Sequence, residues 1–143
     1  LAFHQGKEPP IYEDGNQVRD FVNIHDVVDA NVLVLEDERA NYEMFNVGGG
    51  VPVTVKEFAE VVAKAYGYND YVPKACGKYR FGDTRHIFSD ISKLKALGWE
   101  PKRTIEDSVL EYKEWLDTAD CVDDIIEYCS KKMQELNVVR SVQ

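Results

Sequence analysis

The stretch Gly77-Lys78-Tyr79-Arg80-Phe81-Gly82-Asp83-Thr84-Arg85-His86 gathers three cations and a histidine around one carboxylate. Arg80 and Arg85 each offer a planar fork of N–H donors that matches phosphate oxygens. Gly77 and Gly82 let the backbone come close to a ligand. Asp83 only accepts hydrogen bonds, which suits ribose or sugar hydroxyls. Cations for a pyrophosphate and an acceptor for hydroxyls are what a nucleoside diphosphate attached to a sugar requires. A surface loop whose arginines pair with nearby acids would use the same residues. A further arginine, Arg19, stands among apolar strand formers in Gln17-Val18-Arg19-Asp20-Phe21-Val22. A half-buried guanidinium must find either an acid on a neighbouring element or a ligand phosphate, and composition leaves both open.

Three other patterns carry less chemistry. Phe45-Asn46-Val47-Gly48-Gly49-Gly50 has the strand-then-glycine look of a dinucleotide turn, but Val53 stands where the last glycine of GxGxxG belongs. It reads as a packing turn. Tyr128 and Lys132 have the i, i+4 spacing of a proton-transfer pair, yet they fall in a highly charged segment and read as a surface pair. Cys76, Cys121 and Cys129 form no CxxC pair. Eight helical positions separate the last two by roughly 12 Å, too far for a disulfide, so reduced thiols are expected. Neither the cysteines nor the dispersed His4, His25 and His86 have zinc-ligand spacing.

The elements that must position these residues are short. Ile11-Tyr12 and Val18–Ile24 predict strands flanking the Asp14-Gly15 turn. Asp26 is expected to cap a helix through residues 27–35 that is apolar on nearly all sides and needs burial on more than one. Met44–Val47 predicts a buried strand. Thr54 with Glu57 is a capping box for a helix stopped near Gly67, with Phe58, Val61, Val62 and Ala65 inward. Residues 68–88 read as irregular. A short helix ends at Gly98, and another starts at Thr104 with Ile105, Val109, Tyr112 and Leu116 on one face. A last helix from about Asp120 carries Val122, Ile125, Ile126, Cys129, Met133 and Leu136. Trp99 and Trp115 are expected in the core. A very apolar helix between two strands marks a βαβ unit of a larger sheet.

The chain has 143 residues, 44% of them hydrophobic, and a formal net charge of −9. Nucleic acid and anionic membranes would repel it. No apolar run approaches the ~20 residues of a bilayer span. A cytoplasmic location is expected.

In order, Pro10–Glu36, Phe45–Gly67 and Gly77–Pro101 resemble the C-terminal part of nucleotide-sugar epimerases and dehydratases, the extended short-chain dehydrogenase/reductases. UDP-glucose 4-epimerase-like and dTDP-sugar 4-epimerase-like enzymes resemble it best, over roughly residues 6–117. The resemblance implies an α/β fold: the C-terminal fragment of a Rossmann-type enzyme, with the last sheet strands plus a small mixed α/β substrate lobe. It implies redox at a sugar carbon, in which NAD takes a hydride, a tyrosine takes the hydroxyl proton, and hydride returns to the other face. It assigns Arg19 and Arg80 to the pyrophosphate of a UDP- or dTDP-sugar and Asp83 to ribose hydroxyls. The backbone of Pro10, Ile11 and Tyr12 would line the base, and Arg85 and His86 match the GDxRH variant. It also implies a homodimeric parent.

Two family features are missing from these residues: the Gly-rich cofactor turn, and a catalytic Tyr-x-x-x-Lys placed before the substrate loop. NAD is therefore expected to bind outside this chain, and the chain alone to be inactive. The leading residue, Leu1 rather than Met, fits a fragment. Residues 1–50 would complete the Rossmann sheet, 51–117 would form the substrate-binding lobe, and 118–143 a C-terminal amphipathic extension. The competing reading is a non-catalytic nucleotide-sugar-binding or interaction module.

Overall fold

The computed structural model describes residues 1–119 and 123–141. Its elements run β1 (Val18–Asp20), α1 (Ile24–Glu36), β2 (Pro52–Thr54), α2 (Val55–Ala65), β3 (Lys78–Arg80), α3 (Ser92–Lys95), α4 (Ile105–Asp117), α5 (Ile126–Glu135) and β4 (Val139–Ser141). The strands form two antiparallel pairs. In one, Val18, Arg19 and Asp20 oppose Thr54, Val53 and Pro52. In the other, Lys78, Tyr79 and Arg80 oppose Ser141, Arg140 and Val139. Ile11 bridges Ala75 and Val18 bridges His86, both in parallel sense.

The strand reading of 18–24 holds only for Val18–Asp20. Asn23 ends it, capping α1 by accepting the His25 N–H. Asp26, expected as the cap, is instead buried within the first turn. Its carboxylate accepts the Lys102 and Arg103 backbone N–H groups and the Arg103 guanidinium. The capping box at Thr54/Glu57 forms as the sequence predicts, and the helix expected to start at Thr104 opens with a second one, Thr104/Asp107. Each carboxylate accepts its own cap's N–H and hydroxyl, and this holds both Glu57 and Asp107 below their ordinary pKa. Gly67 follows α2 in the left-handed conformation, as a helix stop requires.

The core cluster joins Ala30 of α1 to Ile91, Leu94 and Trp99, with Leu33, Val34, Phe45, Val47 and Leu97 packed around it. Trp99 also donates its indole N–H to the Asp26 carbonyl. Phe45 and Val47 thus reach the core, but residues 44–47 form no strand, because a ladder needs a neighbouring strand and none pairs with them among the described residues. Trp115 was expected inside and is 63% exposed. It follows the outer face of α4, while Val109 and Leu116 face inward. α2 packs on α4, and Phe58 stacks on Phe21 at 4.4 Å.

The last helix begins at Ile126, not near Asp120, and buries none of its residues. Its N-cap, Ile125, has no side-chain cap. Asp120, Cys121 and Val122 lie outside the described residues. β4 then pairs with β3, so the chain's tail returns to the strand that carries Arg80. No described helix is long and apolar enough to cross a membrane.

Candidate functional site

Residues 11–14, β1 and the loop after β3 meet edge to edge. The Cys76 N–H donates to the Ile11 carbonyl at 2.9 Å, and the Glu13 N–H donates to the Lys78 carbonyl at 2.7 Å. Ile11 is buried and anchors this segment. Tyr12, next in the chain, lies under the Arg80 guanidinium, whose carbon sits 4.9 Å from the ring centroid. Such stacking contributes ~0.5–1 kcal/mol at an exposed site and orients the fork without using its N–H donors. Asp83 folds the loop back by donating its N–H to the Arg80 carbonyl. Pro10 and Asp83 are exposed.

Arg19 is half-buried and donates through one nitrogen to the Val18 and Arg85 carbonyls, both at 2.9 Å. Neutral carbonyls accept its protons but do not cancel its charge. His86 accepts the Val18 N–H at Nδ1, which assigns its ring proton to Nε2. The Ile87 N–H closes the bridge onto the Val18 carbonyl.

Arg85 behaves differently. Its fork donates to Glu13 Oε2 and to Asp14 Oδ2, each at 2.7 Å. The Asp14 carboxyl is held well below the usual carboxylate range, first by this guanidinium and then by the Asn16 N–H that it also accepts. Asp14 in turn raises the Arg85 pKa. Arg85 therefore pairs with nearby acids, as an arginine of a surface loop would. Of the other arginines, Arg39 and Arg103 pair with Asp37 and Asp26, and Arg140 stacks on Phe81 at 3.9 Å. Arg19, Arg80 and Arg140 have no carboxylate partner among the described residues.

The candidate residues form an open face. A cleft of about 680 Å³ lies between Gly49–Val53, the start of α2 and residues 100–106. A smaller apolar one, of about 310 Å³, lies between α2 and α4. Neither is lined by Pro10, Ile11, Tyr12, Arg19, Arg80, Asp83, Arg85 or His86.

The sequence reading missed Asp20. One of its oxygens accepts the Gly49 N–H at 2.8 Å and the other the Ser89 N–H at 3.0 Å. This carboxylate thereby ties β1 to the glycine turn and to Ser89, just past the 80–86 loop. An acid directly after Arg19 was the available signal, but nothing local tells which N–H groups it meets.

A family model described as GDP-mannose 4,6 dehydratase matches residues 1–112. The chain belongs to that family. Residues 6–117 were read as similar to nucleotide-sugar epimerases and dehydratases, the extended short-chain dehydrogenase/reductases, and the relatives bear this out. The dTDP-L-rhamnose 4-epimerase of Burkholderia thailandensis is 39% identical over 108 residues, covering 75% of this chain and 29% of that protein. The structure of UDP-glucose 4-epimerase from Thermotoga maritima, solved with UDP-glucose, is 36% identical with a TM-score of 0.68 and covers 79% of this chain and 36% of that one. The dTDP-glucose 4,6-dehydratase of Bacillus anthracis, solved with NAD, is 30% identical with a TM-score of 0.67, covering 82% and 36%. The chain thus spans about a third of the length of the relatives it matches, and its mixed α/β architecture is consistent with a fragment of their fold.

Structural relatives bind NAD, and the glycine turn is the feature here that could cradle it. It does not fit. A Cβ on Gly49 would stand 1.8 Å from the Phe21 carbonyl oxygen, and one on Gly48 would stand 2.1 Å from Asp20 Oδ2. The glycines serve close packing against β1, and the Gly49 N–H is taken by Asp20.

Proposed function

We propose that this chain carries the nucleotide-diphosphate-binding face of an NAD-dependent nucleotide-sugar 4-epimerase. Arg19 and Arg80 take the diphosphate, Asp83 takes ribose hydroxyls, and the backbone from Pro10 to Tyr12 flanks the base. One observation carries this reading. Among the described residues Arg19 and Arg80 have no carboxylate partner, and both belong to the patch built by residues 11–14, β1 and the 80–86 loop. An acidic chain leaves two guanidinium charges uncancelled where an anionic ligand neutralises them.

On this proposal residues 1–50 complete a Rossmann sheet, 51–117 form the substrate lobe, and 118–143 extend it. NAD and the proton-transferring tyrosine belong to residues outside 1–143, so the chain alone does not turn over substrate. The relatives named as UDP- and dTDP-sugar 4-epimerases support epimerisation. The dehydratase relative keeps dehydration as the second reading.

The test is calorimetry with UDP, dTDP and GDP on the full polypeptide that carries these residues. At least one diphosphate binds, and Arg80→Ala weakens it by ~1.5–3 kcal/mol, the contribution of a charge-assisted contact. A pure interaction module binds none of the three.

A further inference from the structure

Arg85 sits at the centre of the patch with its charge already committed. Its fork spans two carboxylates that follow Tyr12 directly, and its carbonyl holds the Arg19 guanidinium. Glu13 is fixed toward the loop by an unusual backbone. Its φ of +53° is left-handed, which a non-glycine residue seldom adopts, and its N–H is bound to Lys78. Two acids beside a diphosphate site are a liability, because like charges repel a ligand across a distance set by the Debye length, ~10 Å at 0.1 M salt. Arg85 gives one N–H of each terminal nitrogen to an acid, so its two-pronged edge faces carboxylates.

We propose that Arg85 is a positioning residue that holds Glu13 and Asp14 and offsets one of their two negative charges, so that Arg19 and Arg80 act on the ligand against less repulsion. The inference rests on the nucleotide-diphosphate reading and assigns Arg85 a role other than direct contact. The geometry supporting this is a guanidinium that spans two acceptors at equal distance, one on each terminal nitrogen.

Three variants of the full polypeptide are titrated with UDP, dTDP and GDP. Arg85→Ala exposes both carboxylates and lowers diphosphate affinity about tenfold or more. Glu13→Gln with Asp14→Asn, keeping Arg85, leaves affinity unchanged or raises it. The triple variant returns to within about threefold of the unaltered protein, since the repelling charges are gone. Other outcomes overturn the proposal. If the triple variant stays as weak as Arg85→Ala, Arg85 contacts phosphate itself. If Glu13→Gln/Asp14→Asn alone weakens binding, the ion pairs hold the loop's shape and charge is secondary. If the unaltered protein binds no diphosphate, the site reading falls first and this inference falls with it.

Discussion

Replacing Asp26 with alanine should be among the most damaging changes outside the patch. The carboxylate is 1% exposed and accepts three hydrogen bonds: the Lys102 N–H at 3.1 Å, the Arg103 N–H at 3.0 Å and Arg103 Nη1 at 2.7 Å. Losing it strands two backbone donors, at ~1 kcal/mol or more apiece, which sets a floor near ~2 kcal/mol. Breaking a buried ion pair sets a ceiling near ~5 kcal/mol. The Arg103 side chain is 34% exposed and regains hydration, so the cost falls between, at ~3–4 kcal/mol. That is a large part of the ~5–15 kcal/mol that holds a domain together. Urea unfolding followed by far-UV circular dichroism reads it as a midpoint lowered by roughly 1.5–2 M, for a slope near ~2 kcal/mol/M. A loss below ~1 kcal/mol would refute the reasoning, because residues 99–103 would then be held by Trp99 and packing alone.

Gly49→Ala should destabilise the fold severely, since the added methyl meets the Phe21 carbonyl at 1.8 Å, and it should lower the melting temperature more than Gly82→Ala, whose added carbon meets nothing within 4 Å and brings only the strain of a side chain at φ +88°. The depressed pKa values of Glu57 and Asp107 fix a sign: their stabilisation is present above the unfolded carboxylate pKa and is lost as pH falls through the lower folded values. Thermal melts at decreasing pH should show this, and Thr54→Ala with Thr104→Ala should flatten that part of the profile. Ile24, Val28, Val32 and Leu35 line one exposed stripe of α1, so the 143-residue chain should self-associate. Its apparent mass in light scattering should rise with concentration, and a sharp melt of a strict monomer would contradict this.

What was legible in the sequence was local. Thr54 with Glu57 and Thr104 followed by a helical stripe announce themselves within four residues. Arg80 between two nearby glycines, Gly77 and Gly82, and Arg19 among strand formers could be singled out by type. The failures are long-range. Asp26 looks like a cap until residues 102–103, far along the chain, claim it. Pro52, which no local pattern places in a strand, sits in β2 opposite Asp20, because the proline end of an edge strand needs no donor there. Met44–Val47 has the composition of a strand without the neighbour that would make it one. Arg85 and Arg80 are alike in type and loop, and only the placement of Glu13 and Asp14 separates them.

The central claim is tested most directly by diphosphate affinity in Arg19→Ala and Arg80→Ala, with Arg39→Ala as the control that removes an acid-paired surface arginine. Each of the first two should weaken UDP, dTDP or GDP binding by about tenfold or more, while Arg39→Ala leaves it unchanged. Undiminished affinity in either Arg19→Ala or Arg80→Ala would contradict the account.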